Sequence, residues 1–274
     1  MKLCQYLGVT RGGYYAWKSR PASRRDVMNK CIVKEMKRIH RRVKETYGSP
    51  RMVVELNERG YQCCVNTVAK LMKNNGIRAK MDRRHKPRQW KANSLIKKGN
   101  LLEAIDGPTL PNQIWVADFT YVKIGSRFVY LSVIMDLYTR MIVGMAMSRE
   151  RNSELIVRSL NSALKRSGGV CPEIFHSDRG IEYANYRVGD ILQRLGINQS
   201  MSGKGNCYDN AHMESFFHTY KSELYYVEPF VDYSEFRRKT MSYVRFYNEQ
   251  RLHSSLGYKS PANFERQAIL SVNF

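Results

Sequence analysis

Between Ile114 and Ile124 the side chains alternate, and an acid stands inside the alternation. Ile114, Val116, Asp118, Thr120, Val122 and Ile124 share one parity, while Trp115 and Phe119 fall on the other. A period of two predicts a strand. A charge in such a strand is costly unless it is paired, solvated or bound to a cation. Gly125-Ser126 suits a two-residue hairpin with glycine first. Phe128 to Leu137 and Arg140 to Met147 are further β-rich runs, so 114–147 is expected to form a three-stranded antiparallel meander. A helix is predicted from Ser153 to Lys165, starting near Asn152 and ended by Gly168-Gly169. A short buried strand follows at Ile174 to His176. A helix through Val188, Ile191, Leu192 and Leu195 stops at Gly196. Ile197 to Met201 is a fifth strand, and Asp209 to Leu224 a helix that Asp209 would cap.

The order β-β-β-α-β-α-β-α matches the ribonuclease-H-like α/β architecture, a five-stranded mixed sheet with helices. Upstream the texture differs. Helical spacing runs from Asp26 to Lys44 through Val27, Cys31, Val33, Met36, Ile39 and Val43. Ser49-Pro50 resembles an N-cap with proline at the first helical position, and Met52, Val53 and Leu56 lie on the helix it opens. Asn66 is expected to cap a third helix, with Val68, Leu71 and Met72 inward and Gly76 past its end. Three short helices suit a helix-turn-helix, the third offering Thr67, Lys70, Lys73 and Asn74 to DNA. The expected domains are 1–25, a basic helical piece; 26–77, the small all-α helix-turn-helix; 78–111, a basic linker; 112–228, the α/β core; and 229–274, its C-terminal helix and tail.

Charge separates these parts. Residues 1–100 hold 26 Lys/Arg against 6 Asp/Glu, whereas 101–274 hold 20 against 18. A polycation of that density points to a polyphosphate or an anionic membrane, with nucleic acid favoured, and the helix-turn-helix pattern makes double-stranded DNA the expected partner. In the linker, Arg83, Arg84, Lys86 and Arg88 would track phosphates, and Trp90 would stack on a base or pack on the core. No apolar run approaches about 18 residues, which excludes a spanning helix. The N-terminus lacks a signal-peptide pattern, and the six cysteines form no CxxC pair. A reducing, cytoplasmic compartment is expected.

Three acids carry the chemistry. Asp118 lies mid-strand, Asp178 ends the fourth strand and Glu214 sits on the helix after the Gly-rich loop 203–206. In a ribonuclease-H-like fold they converge, and converging carboxylates repel unless a cation joins them. An all-oxygen set selects two Mg²⁺, with Mn²⁺ as substitute, suited to phosphodiester chemistry. His176 is expected to orient the loop or pack.

The motifs make the chain similar to a known group. Trp115-Val116-Ala117-Asp118-Phe119-Thr120-Tyr121, His176-Ser177-Asp178-x-Gly180-x-x-Tyr183 and Asp209-Asn210-Ala211-x-x-Glu214-Ser215-Phe216-Phe217 fit the D-x-D-x35-E pattern. They resemble the insertion-sequence transposases of the family numbered three, whose catalytic core is retroviral-integrase-like. Tyr247-Asn248-x-x-Arg251-x-His253-x-x-Leu256-Gly257-x-x-Ser260-Pro261-x-x-Phe264 matches that family's closing signature, and Tyr47-Gly48-Ser49-Pro50-Arg51 its helix-turn-helix insert. The resemblance implies a DNA transposase that binds inverted terminal repeats, cleaves at the element ends and transfers the 3′-OH. It implies Asp118, Asp178 and Glu214 as catalytic metal ligands, and Lys221, two helical turns past Glu214, as a phosphate contact. It also implies a homo-oligomer on DNA and the first-frame product as fusion or partner. Glu182 stands where the family often has glutamine and is expected to point away from Asp178. The rivals are a catalytically idle DNA-binding regulator and a ribonuclease-H-like nuclease.

Overall fold

The computed structural model describes residue 4 and residues 6–80, 98–203 and 210–272. The chain divides into two compact units, Met1–Ala79 and Lys80–Phe274.

In the first unit the helices are α1 (Arg11–Ser19), α2 (Arg24–Arg42), α3 (Ser49–Glu58) and α4 (Val65–Asn74). A reciprocal capping box starts α2: the Ser23 hydroxyl accepts from Asp26 N, and the Asp26 carboxylate accepts from Ser23 N. The helix therefore begins two residues before the expected Asp26. Its inward stripe is Ile32, Met36, Ile39 and Val43, while Val27 and Cys31 are exposed. Spacing alone left that one-position rotation open, and packing against Met52, Leu56, Val68 and Met72 decides it. Buried Glu55 on α3 accepts an ion pair from Arg42 of α2 at 2.5 Å. Two expected caps fall elsewhere. Gly48 is the N-cap of α3, with Ser49 already helical, and Cys64 is the N-cap of α4, with Asn66 inside the helix. Neither cap uses a side-chain hydrogen bond, so burial of one face positions these helices.

The second unit is built on one sheet of order β3-β2-β1-β4-β5. Its strands are β1 (Ile114–Ile124), β2 (Arg127–Asp136), β3 (Ile142–Ser148), β4 (Ile174–Ser177) and β5 (Asn198–Met201). β1 to β3 form the antiparallel meander, and β4 and β5 add in parallel. Gly125 takes φ +59°, as a glycine-first hairpin turn requires. Helices α5 (Ser153–Arg166) and α6 (Tyr186–Arg194) cover one face over Trp115, Ala117, Ile134 and Phe175. Asn152 and Asn185 cap them. Gly144 lets α5 approach β3, since a Cβ there would stand 2.4 Å from the Ser159 carbonyl oxygen.

After β5 come α7 (Ala211–Tyr220), a π-helical turn (Lys221–Tyr225), α8 (Tyr233–Glu249) and α9 (Pro261–Val272). The expected helix from Asp209 to Leu224 is thus broken at Tyr220. Ser222 Oγ donates to the His218 carbonyl at 2.8 Å, and such back-bonding perturbs the helical ladder. Asn210 is the N-cap of α7, and Asp209 lies outside the described residues. Of the expected linker, 81–97 also lies outside them, with Arg83, Arg84, Lys86, Arg88 and Trp90. Residues 99–101 join the core edge: Met201 N donates to the Gly99 carbonyl at 3.2 Å and Leu101 N to Ser200 Oγ at 2.9 Å.

The closing signature fastens the C-terminal helices to the core. Asn248 bonds both backbone groups of Ile142 on edge strand β3, each at 2.9 Å. Arg251 Nη2 donates to Glu223 Oε1 at 2.7 Å and Arg251 Nε to Oε2 at 2.9 Å, with the Tyr243 hydroxyl donating to Oε2 at 2.9 Å. Their side chains are 5% and 2% exposed. Gly257 sits at φ +61° and turns the chain toward α9, whose Phe264 meets Tyr138.

Candidate active site on the central strand pair

The parallel register sets Ala117 beside Ser177, so Asp118 in the middle of β1 and Asp178 just past the end of β4 follow side by side. Strand ends are where open α/β sheets present their ligands. Phe119 N donates to Asp118 Oδ1 at 2.7 Å, and Gly180 N to Asp178 Oδ1 at 2.9 Å. Both carboxyls ionise less readily than an ordinary aspartate. For Asp118 burial is the main cause and the Asp178 charge the next, with Glu214 adding to it and Lys221 opposing. For Asp178 burial again leads; Glu182 raises it further, while the Gly180 bond and Arg151 lower it.

Glu214 is exposed on the first turn of α7, a helix that packs on β1. Among the described residues no three acid, His or Cys side chains stand close enough to form a ready cage for one ion. Lys221 lies beyond α7, and its ammonium sits 5.7 Å from the centre of the Tyr121 ring. Burial lowers its pKa, and Asp118 works the other way. The π turn carrying Lys221 is pinned on one side by Glu223 and on the other by Tyr225, whose hydroxyl accepts from Lys123 N of β1 at 3.0 Å.

Glu182 does not point away from Asp178. A Cβ on Gly180 would lie 2.9 Å from Asp178 Oδ1 and 3.3 Å from Glu182 Oε2, so both carboxylates border one point. Arg151 compensates the extra acid: its Nε meets Glu182 Oε1 at 2.5 Å and its Nη2 meets Oε2 at 3.1 Å. The guanidinium also lies 4.7 Å from the centre of the Phe119 ring, next to Asp118. Nothing local in the sequence marks Arg151; only the fold brings the start of α5 to this point. His176 is fully buried, with Nδ1 2.9 Å from Ser200 Oγ and Nε2 3.2 Å from Ser202 Oγ, so it ties β4 to β5.

In the helical unit, Lys70, Lys73 and Asn74 are exposed on α4. Thr67 is half-buried, its Oγ1 3.3 Å from Cys64 Sγ.

Comparison with known proteins identifies the domains. The family description "Integrase core domain" matches residues 108–207 and, in a second form, 195–261. "HTH-like domain" matches residues 29–85. The intasome of simian T-cell lymphotropic virus, solved with PP2A regulatory subunit B56 gamma, superposes with a TM-score of 0.51 at 15% identity, covering 85% of this chain and 74% of that one. That likeness is one of fold. The matched domains mark a polynucleotidyl transferase with an integrase-type core.

Sequence narrows the class. An insertion element IS600 protein of 31 kDa from Shigella sonnei is 40% identical over 266 residues, 97% of this chain and 98% of its own. Transposase InsF for insertion sequence IS3A of Escherichia coli strain K12 is 36% identical over 271 residues, 97% of this chain and 94% of its own. The chain belongs to the IS3 family of insertion-sequence transposases.

Proposed function

We propose that this transposase cleaves phosphodiester bonds at the inverted terminal repeats of its element and transfers the freed 3′-OH to target DNA, using Asp118, Asp178 and Glu214. What supports the reading is the adjacency of Asp118 and Asp178 in the β1–β4 register, with the Glu214 charge acting on Asp118. The donors are all oxygens and repel one another, which fits hard divalent cations, Mg²⁺ with Mn²⁺ as substitute. Two such ions, when bound, would activate the attacking oxygen and stabilise the leaving one. Asp118, Asp178 and Glu214 are the residues that would hold them. The backbone bonds from Phe119 and Gly180 fix the two aspartates. Lys221 holds a phosphate beside the scissile bond, steered by Tyr121 and the π turn.

DNA is held by α4 through Lys70, Lys73, Asn74 and Thr67, and by the basic stretch containing Arg83, Arg84, Lys86 and Arg88. In domain terms, 26–77 reads the repeat, 78–111 connects, 112–228 catalyses and 229–274 braces the core. The chain works as a homo-oligomer on DNA, with the first-frame product as fusion or partner, in the bacterial cytoplasm. No described helix is long and apolar enough to cross a membrane.

The test replaces one acid at a time: Asp118→Asn, Asp178→Asn or Glu214→Gln. Each is expected to reduce strand transfer by orders of magnitude while repeat binding stays within about threefold, since affinity resides in the basic segments. A variant that keeps near-full cleavage removes its residue from the site.

A further inference from the structure

Helix α1 lies outside the segment matched as HTH-like, which begins at residue 29, and it buries none of its nine residues. Its surroundings carry one sign of charge: residues 1–25 contain six Lys/Arg and no Asp/Glu. Gly8, at φ +63°, ends the helical turn before it. Thr10 then caps α1, its Oγ1 accepting from Gly13 N at 3.0 Å. Arg11, Tyr14, Tyr15 and Lys18 follow at i, i+3, i+4 and i+7, so they share one face. Two cations about 10 Å apart thus bracket two tyrosines.

The apolar surface is just as open. Tyr15 is 53% and Trp17 68% exposed, and Tyr14 lies against both, with ring centres 5.4 and 6.1 Å away. Gly12 and Gly13 weaken a helix relative to alanine. At Gly12 no described atom beyond its neighbours and its own helix backbone comes within 4 Å of where a Cβ would be, so packing among the described residues does not require glycine. A nine-residue helix is marginal in isolation. A basic, aromatic face without an acid complements a polyanion.

We propose that α1 is a second DNA-contacting helix, separate from α4, that lies against the duplex of the element's own ends. Arg11 and Lys18 contact phosphates, and Tyr14 and Tyr15 reach the groove between them. This inference rests on the transposase reading only in taking duplex DNA as the substrate.

The full-length chain is tested on a terminal-repeat duplex in three forms: Arg11→Gln with Lys18→Gln, Tyr14→Ala with Tyr15→Ala, and Lys70→Gln with Lys73→Gln as a marker of α4. Because α1 buries nothing, thermal melting of both α1 variants is expected to match the parent. The Arg11/Lys18 variant should flatten the slope of log K against log salt by about 1.8, two contacts at about 0.9 each. The tyrosine variant should lose at least fivefold in affinity with its slope unchanged. Hydroxyl-radical footprints of both should lose a patch that the Lys70/Lys73 variant retains. Unchanged slope, affinity and footprint for both α1 variants would overturn the proposal. So would a loss that sedimentation traces entirely to weakened self-association, or binding to anionic vesicles that exceeds binding to duplex. If the parent itself neither binds nor cuts repeat DNA, the transposase reading falls; if the parent does both and only the α1 variants are silent, the α1 proposal falls alone.

Discussion

Replacing Arg251 with methionine tests whether the closing signature acts as a structural clamp. Arg251 makes charge-assisted bonds of 2.7 and 2.9 Å to Glu223, whose side chain is 2% exposed. The substitution leaves the carboxylate buried with one remaining donor, the Tyr243 hydroxyl. Removing one partner of a buried ion pair costs about 3–5 kcal/mol. At about 2–4 °C per kcal/mol for a unit of this size, the unfolding midpoint should fall by roughly 6–20 °C. Removing all the polar partners tells a different story. Arg251→Met with Glu223→Leu and Tyr243→Phe leaves no unpaired charge or hydroxyl, and replacement by apolar groups of similar volume is often neutral. The triple variant should therefore melt within a few degrees of the parent. Thermal and urea unfolding followed by circular dichroism, with double-mutant cycles for the Arg251–Glu223 pair, measures both. The reasoning is refuted if the single variant loses less than about 1 kcal/mol, or if the triple variant is as unstable as the single.

Further outcomes follow from the site and the packing. Burial and Asp178 raise the Asp118 pKa above its ordinary 3.8, so the fold disfavours the charged form. The metal-free chain should lose stability as pH rises from near 3.8 toward the raised native value, Asp118→Asn should melt higher than the parent at neutral pH, and Mg²⁺ should stabilise the parent more at pH 8 than at pH 5; melting series with and without Mg²⁺ check all three. Gly144→Ala should destabilise by about 1–3 kcal/mol in urea unfolding, because its Cβ would meet the Ser159 carbonyl and Ala163 of α5 at 2.4 and 2.7 Å. Cleavage should proceed with Mg²⁺ or Mn²⁺ and not with Ca²⁺, which prefers longer bonds and a looser shell; end-labelled repeat DNA reads this directly. A fragment of residues 98–274 should bind duplex with a salt slope flatter by roughly 5–7, corresponding to six to eight lost phosphate contacts; equal slopes would assign the basic surplus to solubility.

The element order and the acids were legible in the chain itself. A period of two over 114–124, turn glycines at 125, 168 and 196, and the order of strands and helices are local properties, and local propensity and patterning report them. Asp118 stood out as a candidate because a charge inside an alternating strand has few inexpensive explanations. What the sequence left open is whatever depends on residues distant along the chain. Helix caps moved because burial of a face, not a side-chain bond, positions α3 and α4. The phase of α2 waited on Met52, Leu56 and Met72. The break of the long helix at Tyr220 depends on Ser222 back-bonding and on Glu223 meeting Arg251, 28 residues on. Glu182 was expected to point away and instead borders Asp178, because the fold brings Arg151, 31 residues earlier, to neutralise it. Backbone patterning is a short-range signal, whereas ion pairs form between whatever side chains the packed sheet and helices bring together. Only the tertiary structure could decide them.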